Sequence, residues 1–217
     1  MMDGGKIVMA KILAINAGSS TLKWKLFSVP EETVIASGMV DRLGLPDSVF
    51  TIKKADGSKY SETKDRIDAK EAAAMVLTRL KSDNIVTHLS EITGVGHRVV
   101  AGGEDFKDSV VITSQTLKKI KDLSEYAPLH NPTQAYYIEV FRDLLPKATQ
   151  VAVFDTSLYA DMPKINYLYS IPYDYYEKFG ARKYGAHGTS HRYVANRTAQ
   201  LLGKPLDSLK LVTLHLG

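Results

Sequence analysis

Three short, apolar, β-rich runs, Lys11 to Asn16, Ile92 to Val100 and Gln150 to Phe154, each break off at a polar or glycine-rich cluster. Runs of that length suit buried strands, and they commit the chain to a sheet with helices packed on it. The first run stops at Ala17-Gly18-Ser19-Ser20, a cluster suited to a tight turn. Beyond it, residues 23–28 and parts of 33–40 alternate polar with apolar, which predicts two more strands in a meander punctuated by Pro30 and Gly44-Leu45-Pro46.

Helical spacing appears between these runs. Asp68 and Glu71 open a helix carrying Ala72, Ala73, Val76, Leu77 and Leu80. Ser114 is placed to cap a second with Leu117, Ile120 and Leu123, and Asn131-Pro132 starts a third with Ala135, Ile138, Phe141 and Leu145. The loop Ala127-Pro128-Leu129-His130 separates those two. A helix over 190–202 closed by Gly203 and Pro205, and strands over 110–113 and 210–216, complete the pattern. Three early antiparallel strands followed by alternating helices and buried strands predict an α/β fold, a mixed sheet flanked by helices, with a division near residue 160. Met9 suits a start, so residues 1–9 read as an N-terminal extension outside the fold.

Composition narrows the function classes. The 217 residues include no cysteine, which removes disulfides, thiolate metal sites and cysteine nucleophiles and suits a cytoplasmic protein. Lys and Arg number 28 against 24 acids, a net charge of +4, but the densest basic stretch is Lys118, Lys119 and Lys121. That reads as the solvated face of a helix rather than a nucleic-acid stripe. The apolar run near the N-terminus is broken by Lys11 and Asn16, too short for a signal peptide or a membrane span.

Ligands in α/β sheets sit at strand ends, so the polar residues there carry the functional information. Five segments stand out: Asn16-Ala-Gly-Ser-Ser-Thr-Leu-Lys23, Gly96-His-Arg-Val-Val-Ala-Gly-Gly-Glu104, Ala127-Pro-Leu-His-Asn-Pro132, Val153-Phe-Asp-Thr-Ser157 and Tyr184-Gly-Ala-His-Gly-Thr-Ser-His191. Four of the six histidines, His97, His130, His187 and His191, lie in them, with His215 in the terminal run. Gly18, the hydroxyls of Ser19, Ser20 and Thr21, and Lys23 suit phosphate oxygens, although a Gly-Ser-Ser turn also serves as a plain hairpin. Arg98 at a strand end suits a carboxylate or phosphate, or a structural ion pair. Asp155 at a strand end suits binding a hydrated metal ion, positioning a nucleophile, or a simple cap. His187 and His191 have a zinc-like spacing, but the glutamate of H-E-x-x-H is absent and Gly185 and Gly188 disfavour a continuous helix. His187 better suits donation to developing negative charge, with His191 packing or capping. Five tyrosines between Tyr167 and Tyr176 read as an aromatic surface against another domain or subunit.

Taken in order, these five motifs resemble the acetokinase family over about residues 10–217, a family of the acetate and sugar kinase, Hsp70 and actin superfamily. The resemblance implies two ribonuclease-H-like domains around a nucleotide cleft, with residues 10–160 the first and 161–217 an interdomain segment and the start of the second. It implies reversible transfer of the ATP γ-phosphoryl group to acetate, giving acetyl phosphate and ADP, with Mg2+ or Mn2+. By position it assigns Asn16 to the metal and phosphate end, Ser19, Thr21 and Lys23 to a phosphate loop, and Arg98 to the substrate carboxylate. Asp155 and His187 match the essential aspartate and the transition-state histidine, and His130 an active-site histidine. Val100, Leu129 and Ala186 match a methyl pocket, and His215, Leu216 and Gly217 the opening of an ATP loop. A homodimer, with no nucleic acid or membrane partner, is also implied.

The sequence departs from the family pattern at Thr21, in place of a serine, and at Ala101 and Tyr159, in place of histidines. Ala186 stands where phenylalanine is common, and the smaller side chain is expected to admit propionate, since a buried methylene is worth about 1 kcal/mol. The family is about twice as long as this chain, so an N-terminal half with weak ligand binding and little turnover is expected. The competing expectations are a propionate or butyrate kinase of the family, a non-catalytic actin- or Hsp70-like module, and a structural domain with core histidines.

Overall fold

The computed structural model describes residues 10–216, so the N-terminal extension and Gly217 lie outside the described residues. The strands are β1 (Ala10–Ala17), β2 (Thr21–Val29), β3 (Thr33–Asp41), β4 (Ser48–Lys54), β5 (Lys59–Lys64), β6 (Ile92–Val99), β7 (Val110–Val111) and β8 (Thr149–Phe154). They form one sheet in the order β5-β4-β3-β2-β1-β6-β8-β7. The first five run as an antiparallel meander, β6 lies parallel to β1, β8 parallel to β6, and β7 closes the edge antiparallel to β8.

The helices are α1 (Ala69–Ser82), α2 (Ser114–Asp122), α3 (Asn131–Leu144), α4 (Lys164–Tyr167), α5 (Asp174–Phe179) and α6 (Gly188–Leu202). Since β1, β6 and β8 advance in one direction across the sheet, right-handed crossovers put α1 and α3 on the same face. Period-two alternation follows from that arrangement. In β1, Leu13, Ile15 and Ala17 are buried under the helices while Asn16 is exposed on the bare face; in β6, His97 and Val99 are buried and Arg98 is half-buried on the opposite side. One core cluster joins β1–β4 to α1 and α3 through Leu13, Trp24, Phe50, Leu80 and Phe141. A second joins Val99 and Phe154 to Phe106, Ile120 and Ile138, with the Phe106 and Phe154 rings stacked at 4.4 Å. Each fully buried Phe or Leu contributes roughly 1.5–3 kcal/mol. No helix among the described residues is long and apolar enough to cross a membrane.

Several expectations are corrected. The meander has five strands, not three. In β4, Ser48, Phe50 and Ile52 alternate inward, whereas β5 is an all-polar, mostly exposed edge strand with lysines that discourage further pairing. Thr113, rather than Ser114, caps α2, its hydroxyl accepting from the Thr116 amide at 3.1 Å. The helix expected from Ser190 starts at Gly188, so His191 is helical despite the preceding glycine. Residues 210–216 are not a strand: among the described residues no strand pairs with them, and Val212, Leu214 and Leu216 are exposed. The tyrosine-rich segment forms α4 and α5 and packs in part on this chain's own Glu104, to which the Tyr176 hydroxyl donates at 3.1 Å. Lys118, Lys119 and Lys121 pair with Asp122, Asp105 and Glu139, as a solvated helix face does.

Candidate active site

Sheet register assembles the site. Asn16 lies opposite Lys23 on β2, and His97 opposite Ile15, so Arg98 falls beside Asn16 on the bare face. At the end of β8 the chain turns at Asp155, whose amide donates to the Val99 carbonyl at 3.0 Å. These strand ends open on a cleft of about 1010 Å³ whose lining includes Asn16, Lys23, Arg98, Val153 and Thr189.

Arg98 is the hub. Its Nε donates to both Asp155 oxygens at 3.2 and 3.0 Å, and its Nη2 donates to Asp155 Oδ2 at 2.5 Å. Nη1 donates to Asn16 Oδ1 at 3.1 Å, and Nη2 also reaches His187 Nδ1 at 3.4 Å. A guanidinium has no acceptor, so this last contact requires the tautomer with Nδ1 bare and the proton on Nε2, an assignment that rests on the hydrogen-bond network. Burial, then the neighbouring His215, lowers the His187 pKa from its ordinary 6.5, while Asp155 opposes the shift. The neutral imidazole therefore carries its proton on Nε2, which has no hydrogen-bond partner among the described residues.

The His187 turn is built by close approach. His187 adopts a left-handed backbone, φ 54 and ψ 25, at the start of α6. The next residue lies so near β8 that its amide donates to the Asp155 carbonyl at 2.9 Å, and a Cβ on Gly188 would meet that carbonyl. On the other side, the Tyr159 hydroxyl donates to the Ala186 carbonyl at 2.9 Å, and the Tyr159 ring fills the space a side chain at Gly185 would need. The rings of His187 and His215 stack at 4.1 Å, with His215 Nδ1 3.0 Å from Ser190 Oγ. His191 turns to Thr213 at 2.7 Å, so the two zinc-spaced histidines serve different partners. Among the described residues, no group of three or more histidine and acidic side chains is arranged to hold a metal.

The remaining sequence-nominated residues divide. The Gly18 amide donates to the Thr21 carbonyl at 2.8 Å, forming the turn on which Ser19 is exposed. Val100 is fixed by Gln134, whose Oε1 accepts from its amide at 2.9 Å. Leu129 and His130 sit exposed in the loop entering α3, and among the described residues no hydrogen bond joins the His130 side chain to Arg98, Asp155 or His187. His97 is a core residue, its Nε2 2.7 Å from Gln150 Oε1. Sequence reasoning missed three supports. Thr189 Oγ1 donates to Asp155 Oδ1 at 3.1 Å, Thr156 Oγ1 accepts from the Gly102 amide at 3.0 Å, and fully buried Asn131 bonds both the amide and the carbonyl of Ala101 at 3.0 Å. All three lie inside the quoted motifs, but only the fold shows where their side chains reach.

The sequence matches the acetokinase family over residues 11–217. It is 66% identical over 209 residues to acetate kinase 1 of Latilactobacillus sakei subsp. sakei, covering 96% of this chain and 53% of that protein. The acetate kinase of Bacillus subtilis is 54% identical, with the same coverage. In structure, the chain is similar to Porphyromonas gingivalis acetate kinase, with a TM-score of 0.85 and 42% identity over 91% of this chain and 50% of the other. A propionate kinase from Francisella tularensis gives a TM-score of 0.84 and 35% identity over 90% and 50%. The chain spans about half the length of the curated relatives it matches. The mixed sheet with its flanking helices is thus the actin-like ATPase fold.

Proposed function

The chain belongs to the acetokinase family, and we propose that it carries the carboxylate-binding part of a kinase site that transfers the γ-phosphoryl group of ATP to acetate. The observation that carries this reading is the Arg98 fork, clamped on one side by buried Asp155 and turned on the other toward the cleft between Asn16 and His187. A short carboxylate is ionised at neutral pH and needs no strong base, so rate enhancement comes from alignment and charge neutralisation. Arg98 takes the carboxylate on its Nη1–Nη2 edge, displacing the long His187 contact. The released His187 donates Nε2–H to the transferring phosphoryl group. Asp155, engaged by Arg98 and Thr189, orients the arginine rather than accepting a proton.

A hard cation brought in by the nucleotide phosphates would find the amide oxygen of Asn16 at the cleft edge and no protein cage, the buried Asp155 oxygens being engaged by Arg98 and Thr189. Mg2+ or Mn2+ held there would neutralise phosphate charge. Ser19, Thr21 and Lys23 bind the transferring phosphate, and His215 with Leu216 and Gly217 opens the nucleotide loop. Val100, Leu129, His130 and Ala186 surround the acyl group. We also propose a division near residue 160, supported by the scarcity of buried apolar residues beyond it, Tyr167 and Ala199 among the described ones. A cytoplasmic homodimer is taken over from the resemblance.

A propionate-accepting variant is favoured by the methyl-sized Ala186 beside His187. Incubating the chain with Mg-ATP and acetate, propionate or butyrate, with hydroxylamine trapping of acyl phosphate, ranks the acids, and parallel titration with acetyl phosphate reads binding. We expect saturable acetyl phosphate binding, low turnover, and loss of propionate acceptance in Ala186→Phe. Absence of both binding and turnover contradicts the kinase reading; equal propionate use by parent and variant contradicts the role of Ala186.

A further inference from the structure

We infer that Thr189 is a positioning residue for Arg98, acting through Asp155, an inference that rests on the reading of Arg98 as the carboxylate-binding group. Asp155 is 2% exposed, and two successive residues of the first turn of α6 clasp it. Gly188 binds its carbonyl through the backbone at 2.9 Å, and Thr189 binds its side chain through the hydroxyl at 3.1 Å.

The division of acceptors gives the hydroxyl its role. Oδ2 is held by Arg98 Nε at 3.0 Å and by Nη2, whereas Oδ1 has only the longer Nε contact at 3.2 Å besides Thr189. The terminal torsion of an aspartate is broad and roughly two-fold, so an oxygen without a firm partner lets the carboxylate plane rotate. Rotation would carry the guanidinium plane with it and change where Nη1 and Nη2 point. Threonine is suited to the task because its branched Cβ restricts χ1. The same clasp joins α6, which follows His187, to the strand end that holds Arg98, so one hydroxyl keeps both groups in register.

The experiment observes the Arg98 Nε–H resonance by 15N NMR in the parent, Thr189→Val, Thr189→Ala and Thr189→Ser, with acetyl phosphate titrated into each. We expect Thr189→Val to shift and broaden the Nε–H signal and weaken acetyl phosphate binding about tenfold, the scale of a hydrogen bond to a charged group, with Thr189→Ser restoring both. Thr189→Ala removes the same hydroxyl without a branched side chain and answers the question should the valine variant not fold. An unchanged Nε–H signal in the folded variants overturns the inference whatever the ligand does. A parent with an ordered Nε–H signal that binds no acetyl phosphate contradicts the kinase reading instead, and the Nε–H comparison still decides the role of Thr189.

Discussion

At the scale of single residues, neighbours in sequence do opposite work. His97 and Arg98 are adjacent, yet strand alternation sends the imidazole into the core and the guanidinium to the cleft. Burial holds the His97 pKa down to about 4 against its ordinary 6.5, with the Gln150 contact opposing in part. The folded protein keeps His97 neutral where the unfolded chain takes up a proton. Its contribution is therefore intact above the ordinary value and is lost as pH falls through about 4, a total of roughly 3 kcal/mol. Urea midpoints at pH 7 and pH 5 should differ more for the parent than for His97→Met; equal pH dependence would refute this placement. Asn16, Arg98, Asp155 and His187 were legible as candidates because each lies within or just beyond a short apolar run or a turn signal. Thr189 was not, since nothing in Gly-Thr-Ser announces that α6 begins against the Asp155 carbonyl.

At the scale of elements, the loop after β6 continues from the strand end that carries Arg98, and α3 holds that loop by side chains. Asn131 satisfies the Ala101 amide and carbonyl, and Gln134 the Val100 amide. Replacing Asn131 by Ala leaves two buried backbone groups unpaired, an expected loss of about 2–4 kcal/mol in stability. Faster hydrogen exchange at the Ala101 amide should accompany it, and a variant with parental melting temperature and exchange would contradict the account. Helices α1 and α3 were readable from their apolar spacing and caps. Strand β5 was not, because an exposed edge strand of lysines and polar residues has no periodic apolar signal. The reverse failure occurred at residues 210–216, where β-like composition met no partner strand among the described residues.

At the scale of the whole molecule, the parallel trio β1, β6 and β8 brings three strand ends to one edge of a bare sheet face, and α6 brings His187 to the same place. Helices α1, α2 and α3 gather on the opposite face, so the site is a product of topology as much as of motif. Segments distant in sequence meet there: Asn16 and Arg98, then Asp155 and His187. Arg98 is proposed to recognise an acyl carboxylate or its phosphoryl product beside His187. Titrating acetyl phosphate into the chain while following the His187 imidazole by NMR, in the parent and in Arg98→Ala, tests it most directly. The account predicts a saturable shift of the His187 signal in the parent and a loss of affinity of about 10- to 100-fold in the variant, the scale of a charge-assisted bidentate contact. No shift in the parent, or the same affinity in both, would contradict it.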